Sequence, residues 1–246
     1  MAAESARADR AMARLMLEEY PDDAARLLET AKDADSAALL GRERPELSAD
    51  ILKRLTPDRA ARVLAALPPK TFAAVVHLLN PSRVAALLGR LDEEERERCL
   101  DALGSPAAAE LRSLSQYPRD TAGALMDPRA TSFRPDATVR DVIRRLRRFR
   151  NRRIQDVFLV GEDGKLVGTV SLQDVVLASP ETLLEALVHG PPVSVAAVAS
   201  REEVIEAFET HRATSLAVLD IDGRLLGVLR QRELIKAARR RRPQVP

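Results

Sequence analysis

The sequence predicts two architectures in one chain: an N-terminal all-α superhelical repeat domain, followed by an α/β region built from two tandem βαββα units. Two observations indicate this division. In the first half a leucine recurs at every twelfth position, at Leu55, Leu67, Leu79, Leu91 and Leu103. In the second half a hairpin motif occurs twice, around Asp163-Gly164 and again around Asp222-Gly223. Repeats of these two kinds are typical of a stacked helical array and of a duplicated α/β unit, respectively.

The 12-residue repeat also contains helix start signals. Thr56-Pro57 and Asn80-Pro81 each place a capping residue before a proline at the first helical position. Apolar residues stand five, eight and nine positions after the repeated leucine, which lines one helix face. A helix of two turns cannot bury that face alone, so we expect successive helices to stack. The expected helix starts are Thr56, Pro68, Asn80, Asp92 and Gly104.

The duplicated hairpins each turn at an Asp-Gly pair. Phe158-Leu159-Val160 leads into Asp163-Gly164, and Ala217-Val218-Leu219 leads into Asp222-Gly223. Apolar runs on both sides of such a pair predict an antiparallel hairpin.

A helix is expected on either side of each hairpin. Upstream, Thr138 and Ser200 begin matching capped helices. Downstream, each hairpin enters a short helix, over 172–177 and 233–238. Together these elements predict two βαββα units in tandem.

Composition excludes several classes of protein. The formal charge is only +2, aromatic residues make up 3% and there is no Trp, so we expect no nucleic-acid partner. A single cysteine excludes an internal disulfide. The N-terminus has no apolar signal region, and no run reaches the roughly 18 apolar residues of a membrane span. We therefore expect a soluble cytoplasmic protein, either free or at the inner face of the membrane.

Three sets of residues carry a family resemblance. Met126-Asp127-Pro128 and Gly168-Thr169-Val170-Ser171 make the second half resemble a pair of CBS domains. The 12-residue repeat resembles the N-terminal superhelical domain of the MgtE magnesium transporters, and YPRDTAGALM is similar to the stretch that joins the two domains there. The resemblance implies an MgtE-type helical superhelix at 1–116, a joint at 117–126, CBS domain 1 at 127–186, CBS domain 2 at 187–238 and a basic tail at 239–246.

This resemblance implies a non-catalytic cytosolic regulatory or sensor module of magnesium transport. It would bind Mg²⁺, an adenine nucleotide or both, and act by rearranging its domains and a homodimer formed through the CBS pair. A membrane transporter domain would lie in cis or in trans. The alternative is a free-standing CBS-domain adaptor that binds adenine nucleotide and docks a protein partner through its helical domain. No enzyme is expected, since His77, His189 and His211 are scattered without metal-ligand spacing.

The stretch Gly168 to Asp174 fits the G-h-x-S/T-x-x-D pattern by which CBS domains hold ATP, ADP or AMP. Its candidate nucleotide-binding residues are Gly168, Thr169, Ser171 and Asp174. The same spacing also fits a simple helix cap made by Ser171 and Asp174, and both interpretations stay open. In the second βαββα unit Arg230 replaces the hydroxyl residue. The second site is therefore expected to bind nucleotide more weakly or to favour more anionic ligands.

Carboxylates suited to Mg²⁺ remain in two places. The candidate metal ligands are Asp92, Glu93, Glu94, Glu95, Glu97 and Glu233. The first five also fit a solvated helix start whose acids favour the helix dipole. Glu233 stands among Arg230, Arg232 and Lys236, where the resemblance implies an acidic helix. We therefore expect the response to Mg²⁺ to be weaker than the family resemblance implies.

Overall fold

The computed structural model describes residues 2–147, 154–232 and 234. The chain divides into two compact units, Met1–Gln116 and Tyr117–Pro246. The predicted fold class is confirmed: a helical N-terminal region precedes a CBS-type α/β pair.

The first unit is built from short consecutive helices, many of which begin at a proline. In chain order they are α1 Ala2–Glu19, α2 Pro21–Thr30, α3 Asp33–Leu40, α4 Pro45–Leu52, α5 Pro57–Ala65, α6 Pro69–Leu78, α7 Pro81–Leu88, α8 Glu93–Asp101 and α9 Ser105–Ser115.

The expected helix starts are confirmed, because the N-cap residues of α5 to α9 are the five predicted ones. Asn80 accepts a hydrogen bond from the Ser82 amide at 2.8 Å, and Asp92 accepts from the Glu95 amide at 2.8 Å. Thr56 differs, since its hydroxyl donates to the Glu29 carboxylate at 3.0 Å. That contact ties the start of α5 to the end of α2.

Helices two apart in sequence pack on each other, which makes a two-layered stack. The helix α5 contacts α3 and α7, while α4 contacts α2 and α6. The repeat extends further towards the N-terminus than the leading leucines indicate. A second series with the same 12-residue spacing is buried throughout: Leu28, Leu40, Leu52, Leu64, Val76, Leu88 and Leu100.

A buried arginine fastens the loop between α2 and α3. Arg59 is 6% exposed, and it donates to the Leu28 carbonyl at 2.9 Å and to the Ser36 hydroxyl at 3.0 Å. It also pairs with the Asp33 carboxylate. Arg83, two repeats later, donates to the Leu52 carbonyl at 3.3 Å in the same way. The repeat therefore carries a polar contact as well as an apolar face.

The second unit contains two three-stranded sheets. Its first half comprises α10 Ala122–Leu125, β1 Ser132–Phe133, α11 Val139–Leu146, β2 Asp156–Val160, β3 Leu166–Ser171, α12 Leu172–Leu177 and a 3₁₀ helix Leu184–Leu187. Its second half comprises β4 Ser194–Ala196, α13 Arg201–His211, β5 Ser215–Leu219 and β6 Leu225–Arg230. The helix expected over 233–238 lies outside the described residues, apart from Leu234.

Both sheets have the same order, with β1 parallel to β2 and β2 antiparallel to β3, and likewise for β4, β5 and β6. The middle strand β2 is buried on both faces. Val157 and Leu159 pack into the core of their own half, whereas Phe158 packs on Ala217 and Val228 of the other half. The apolar run in the sequence therefore reflects a strand covered on two sides.

Within this second unit, each half is completed by the segment that precedes the other half in the chain. The amides of Ala122 and Gly123 donate to the carbonyls of Ala199 and Ala197, both at 2.8 Å. In the matching contact of the other half, the Leu184 amide donates to the Ala137 carbonyl at 2.9 Å. Residues 121–127 thus belong to the second sheet's surroundings and residues 183–189 to those of the first.

The apolar residues on one face of α11 and on one face of α13 are largely buried inside this unit. Val142 and Val204 are fully buried, and Phe208 is 3% exposed. Ile205 on α13 is 41% exposed. An expectation of dimerisation must therefore rest on other exposed apolar residues.

Candidate nucleotide-binding site

Ser171 is the last residue of β3 and the N-cap of α12. Its hydroxyl accepts from the Asp174 amide at 3.1 Å and donates to the Asp174 carboxylate at 2.6 Å. The helix cap that the spacing allowed is therefore present. Both side chains remain partly accessible, so the helix cap is compatible with a bound ligand at this position.

A groove of about 570 Å³ opens beside Ser171. Its walls come from the start of β2, from α12 and from the residue that precedes β5 in the second half. Polar and apolar side chains both contribute to the lining. The lining residues are Ile154, Gln155, Asp156, Ser171, Leu172, Gln173, Val176, Leu177 and Thr214.

Asp156 is the carboxylate of this groove, and the second half of the unit holds it in place. Its side chain accepts from the Ser215 hydroxyl and, at 3.4 Å, from the Thr214 hydroxyl. Asp156 is also the register partner of Ser171 across β2 and β3. The two therefore stand side by side at one end of the sheet, where a bound molecule can reach both.

The remaining predicted nucleotide residues, Gly168, Thr169 and Asp174, are not among the residues that line the groove. Gly168 is buried, and a Cβ atom there would approach Val188 to 2.9 Å, so its role is close packing. The Thr169 hydroxyl oxygen is buried and has no hydrogen-bond partner within the described residues. Asp174 faces His189, with 3.8 Å between its carboxylate and the imidazole Nε2.

Sequence reasoning missed Asp156, Gln173 and Thr214. A signal was available, because the hairpin repeat makes Gln155 equivalent to Thr214 and Asp156 equivalent to Ser215. In the structure the Asp156 carboxylate accepts hydrogen bonds from both Thr214 and Ser215 of the other half.

A smaller cavity of about 220 Å³ lies beside α11. The Arg145 guanidinium stands 5.1 Å from the centre of the Phe133 ring, and Arg144 pairs with Asp141. The charged side chains that line it are therefore already engaged with their neighbours.

The acids proposed for Mg²⁺ lie at the start of α8. Asp92 caps the helix, Glu93 pairs with Arg96, and Glu97 lies 2.8 Å from the Arg112 guanidinium. Glu95 stands 4.0 Å from Arg98, and Glu94 is exposed. Across the described ranges, no three or more metal-ligating side chains converge on one point.

Glu233, the sixth proposed metal ligand, lies outside the described residues, and so does the basic tail at 239–246. All six positions stay predictions.

Of the helices in the described part of the chain, none combines the length and the apolar composition that crossing a bilayer requires.

Comparison with known families matches the two halves separately. The model of the MgtE intracellular N domain matches residues 19–120, and the CBS domain model matches residues 122–181 and 184–240. The magnesium transporter MgtE of Thermus thermophilus is 34% identical over 135 residues, which is 54% of this chain and 30% of that protein. That match therefore covers less than a third of the relative's own length.

Two solved structures share the fold over nearly the whole chain. The cytosolic domain of the Mg²⁺ channel MgtE in complex with ATP is 29% identical, with a TM-score of 0.85 over 96% of this chain and 98% of that one. The soluble part of a magnesium transporter, 21% identical with a TM-score of 0.68 over 95% and 98%, supports the fold alone. With an MgtE intracellular N domain followed by two CBS domains, the chain belongs to the MgtE family.

Proposed function

We propose that this chain is a non-catalytic cytosolic regulatory module of MgtE-like magnesium transport, and that it binds an adenine nucleotide in the groove beside Ser171. One observation carries the proposal. The groove lies at the CBS nucleotide motif, in a chain whose fold follows that of an MgtE cytosolic domain crystallised with ATP.

The groove has the character of a small-molecule site. Its volume of about 570 Å³ falls within the range of roughly 300–1,000 Å³ usual for such sites. Ile154, Leu172 and Val176 offer an apolar wall for a base. Asp156 and Thr214 offer oxygen atoms to the hydroxyl and amino groups of a nucleoside.

The Mg²⁺ response is proposed to be weak and to reside at the start of α8. The carboxylates of Glu93, Glu95 and Glu97 each already have an arginine within 4.0 Å, so an incoming ion must compete with a cation in place. An ion shifts a conformational equilibrium only by its difference in affinity between the two states. Carboxylates that are already paired with arginine reduce the difference in Mg²⁺ affinity between the two conformational states.

The module is proposed to act as a homodimer through its CBS pair, with a membrane transporter domain in cis or in trans. Val176 and Leu177 on α12 are 69% and 77% exposed, and they lie beside the groove. A second copy that covers them would link nucleotide occupancy to dimer geometry. Light scattering of the full chain should give the mass of a dimer, and a monomer at high micromolar concentration would contradict this part.

The nucleotide site can be tested with a matched pair of variants in titration calorimetry. Ser171→Ala removes the cap of α12 and a groove hydroxyl, while Ser200→Ala removes the cap of α13, away from the groove. Each should lower the free energy of unfolding by about 1 kcal/mol. Only Ser171→Ala should also weaken ATP, ADP or AMP binding, by about tenfold, which is about 1.4 kcal/mol.

Equal binding by both variants would leave Ser171 as a cap alone. A wild-type chain that binds none of the three nucleotides at millimolar concentration would contradict the proposed site.

A further inference from the structure

The two halves of the CBS pair differ at one pair of facing positions. Arg230 closes β6 as Ser171 closes β3, so the two residues stand at equivalent places in the repeat. Asp127 and His189 are equivalent in the linking segments, since each directly follows the residue on which a motif glycine packs. Those contacts are Gly227 on Met126 and Gly168 on Val188.

In the second half this pair forms an internal ion pair. The Arg230 guanidinium donates to the Asp127 carboxylate at 3.0 Å, and the two side chains are only 11% and 14% exposed. The backbone fixes Asp127 as well, because it exchanges two hydrogen bonds with Val228, at 2.8 and 2.9 Å. Residues 103 apart in the chain are thereby joined.

In the first half the corresponding position is open. Ser171 is small, and its hydroxyl turns to Asp174, whose side chain is 32% exposed. His189, the counterpart of Asp127, is 74% exposed and stands 3.8 Å from that carboxylate. The contact between the motif and the linking segment is therefore an exposed one here, in place of a buried ion pair.

We propose that the second CBS unit is closed to nucleotide by its own chain, with the Arg230–Asp127 pair standing where a ligand would bind. This inference rests on the proposed nucleotide function of the first unit and fixes its stoichiometry at one nucleotide per chain. Arg230 thus serves to hold residues 121–127 and does not serve as a phosphate ligand.

The physical reason is charge compensation. A phosphate could replace Asp127 as the partner of Arg230, but Asp127 would then remain buried beside a second anion. Its backbone bonds to Val228 keep it from moving to water. A phosphate bound in the second CBS unit would therefore leave the Asp127 carboxylate buried and without its cation, beside a second negative charge, which is unfavourable.

The test is the number of AMP and ATP molecules bound per full-length chain, measured by equilibrium dialysis. The variant combines Asp127→Ser with Arg230→Ser, which removes both charges together and leaves neither buried alone. A control combines Asp120→Asn with Arg201→Gln, which breaks the 2.8 Å ion pair at the other end of the same segment. Circular dichroism verifies that each variant is folded.

Wild type and control should bind one nucleotide per chain, and the double serine variant two. A single site in the double serine variant would overturn the inference, as would two sites in wild type with the second lost on Arg230→Ser. If wild type binds none while the variant gains a site, the proposed function fails and the closure stands. No binding in either overturns both.

Discussion

The two halves of the CBS pair share strand order, register and the capping boxes of α11 and α13, yet they differ in what faces the motif after the third strand. The first half presents Ser171 at an open groove and leaves His189 exposed. The second presents Arg230 held by Asp127 at 3.0 Å. A duplicated backbone therefore does not imply a duplicated site, because two side chains decide whether the position is open.

The same comparison explains the segment that joins the helical repeats to the CBS pair. Residues 117–126 were expected to form a joint, and in the structure residues 122 and 123 are hydrogen-bonded to residues 199 and 197 of the second half. Arg201 pairs with Asp120 at 2.8 Å in the same region. Together with the Arg230–Asp127 pair, this contact attaches residues 120–127 to the second half of the CBS pair.

The largest expected effect is the removal of one member of the buried pair. Arg230→Ala leaves the Asp127 carboxylate buried and uncompensated, so the free energy of unfolding should fall by about 3–5 kcal/mol. His189→Ala at the matching exposed position should change it by less than about 0.5 kcal/mol. Urea denaturation followed by circular dichroism measures both, and equal losses would show that the positions do not differ as described.

The next effect concerns the two glycines that let the linking segments approach. In Gly227→Ala the new Cβ would lie 2.8 Å from the Asp127 carbonyl oxygen, which is fixed by its bond to Val228. In Gly168→Ala it would meet the Val188 side chain at 2.9 Å, and that side chain can shift. We expect losses of about 1–3 kcal/mol for overpacking, with Gly227→Ala the larger. The reverse order in thermal unfolding would contradict the tighter closure of the second half.

Much of the architecture could be predicted from local pattern. The helix starts at Thr56, Asn80 and Asp92 follow from capping chemistry and a 12-residue period, and the hairpins follow from their Asp-Gly turns. These features depend on neighbours within a few residues. Periodicity therefore carries enough information to place them.

Contacts between distant polar residues could not be predicted in this way. Arg59 reaches the Leu28 carbonyl 31 residues away, and Arg230 reaches Asp127 over 103 residues. Two arginines 24 residues apart, Arg59 and Arg83, are too few to establish a period. On sequence alone, each charged residue fits a solvated surface equally well. For the same reason Asp156 and Thr214, which face each other between the sheets, were absent from the predicted site.

The smallest effect tests the similarity of the two halves. The helices α11 and α13 both begin with a capping box. Hydrogen bonds from Thr138 and Ser200 lower the pKa of Asp141 and Glu203, respectively. A lowered pKa in the folded state stabilises the fold above the ordinary carboxyl pKa of about 4, and this stabilisation is lost as the pH falls through and below that value. Asp141→Asn and Glu203→Gln should each flatten the decline in melting temperature on acidification, to a similar small extent. An effect in one half alone would contradict their equivalence.

The central claim is that nucleotide occupies the first half of the CBS pair and not the second. A crystal structure of the full chain grown with AMP tests it most directly. We predict electron density for the nucleotide in the groove, in contact with Ser171, Asp156 and Thr214, with the Arg230–Asp127 ion pair intact. Nucleotide bound at Arg230 with the ion pair broken, or bound elsewhere while the groove holds none, would contradict the account.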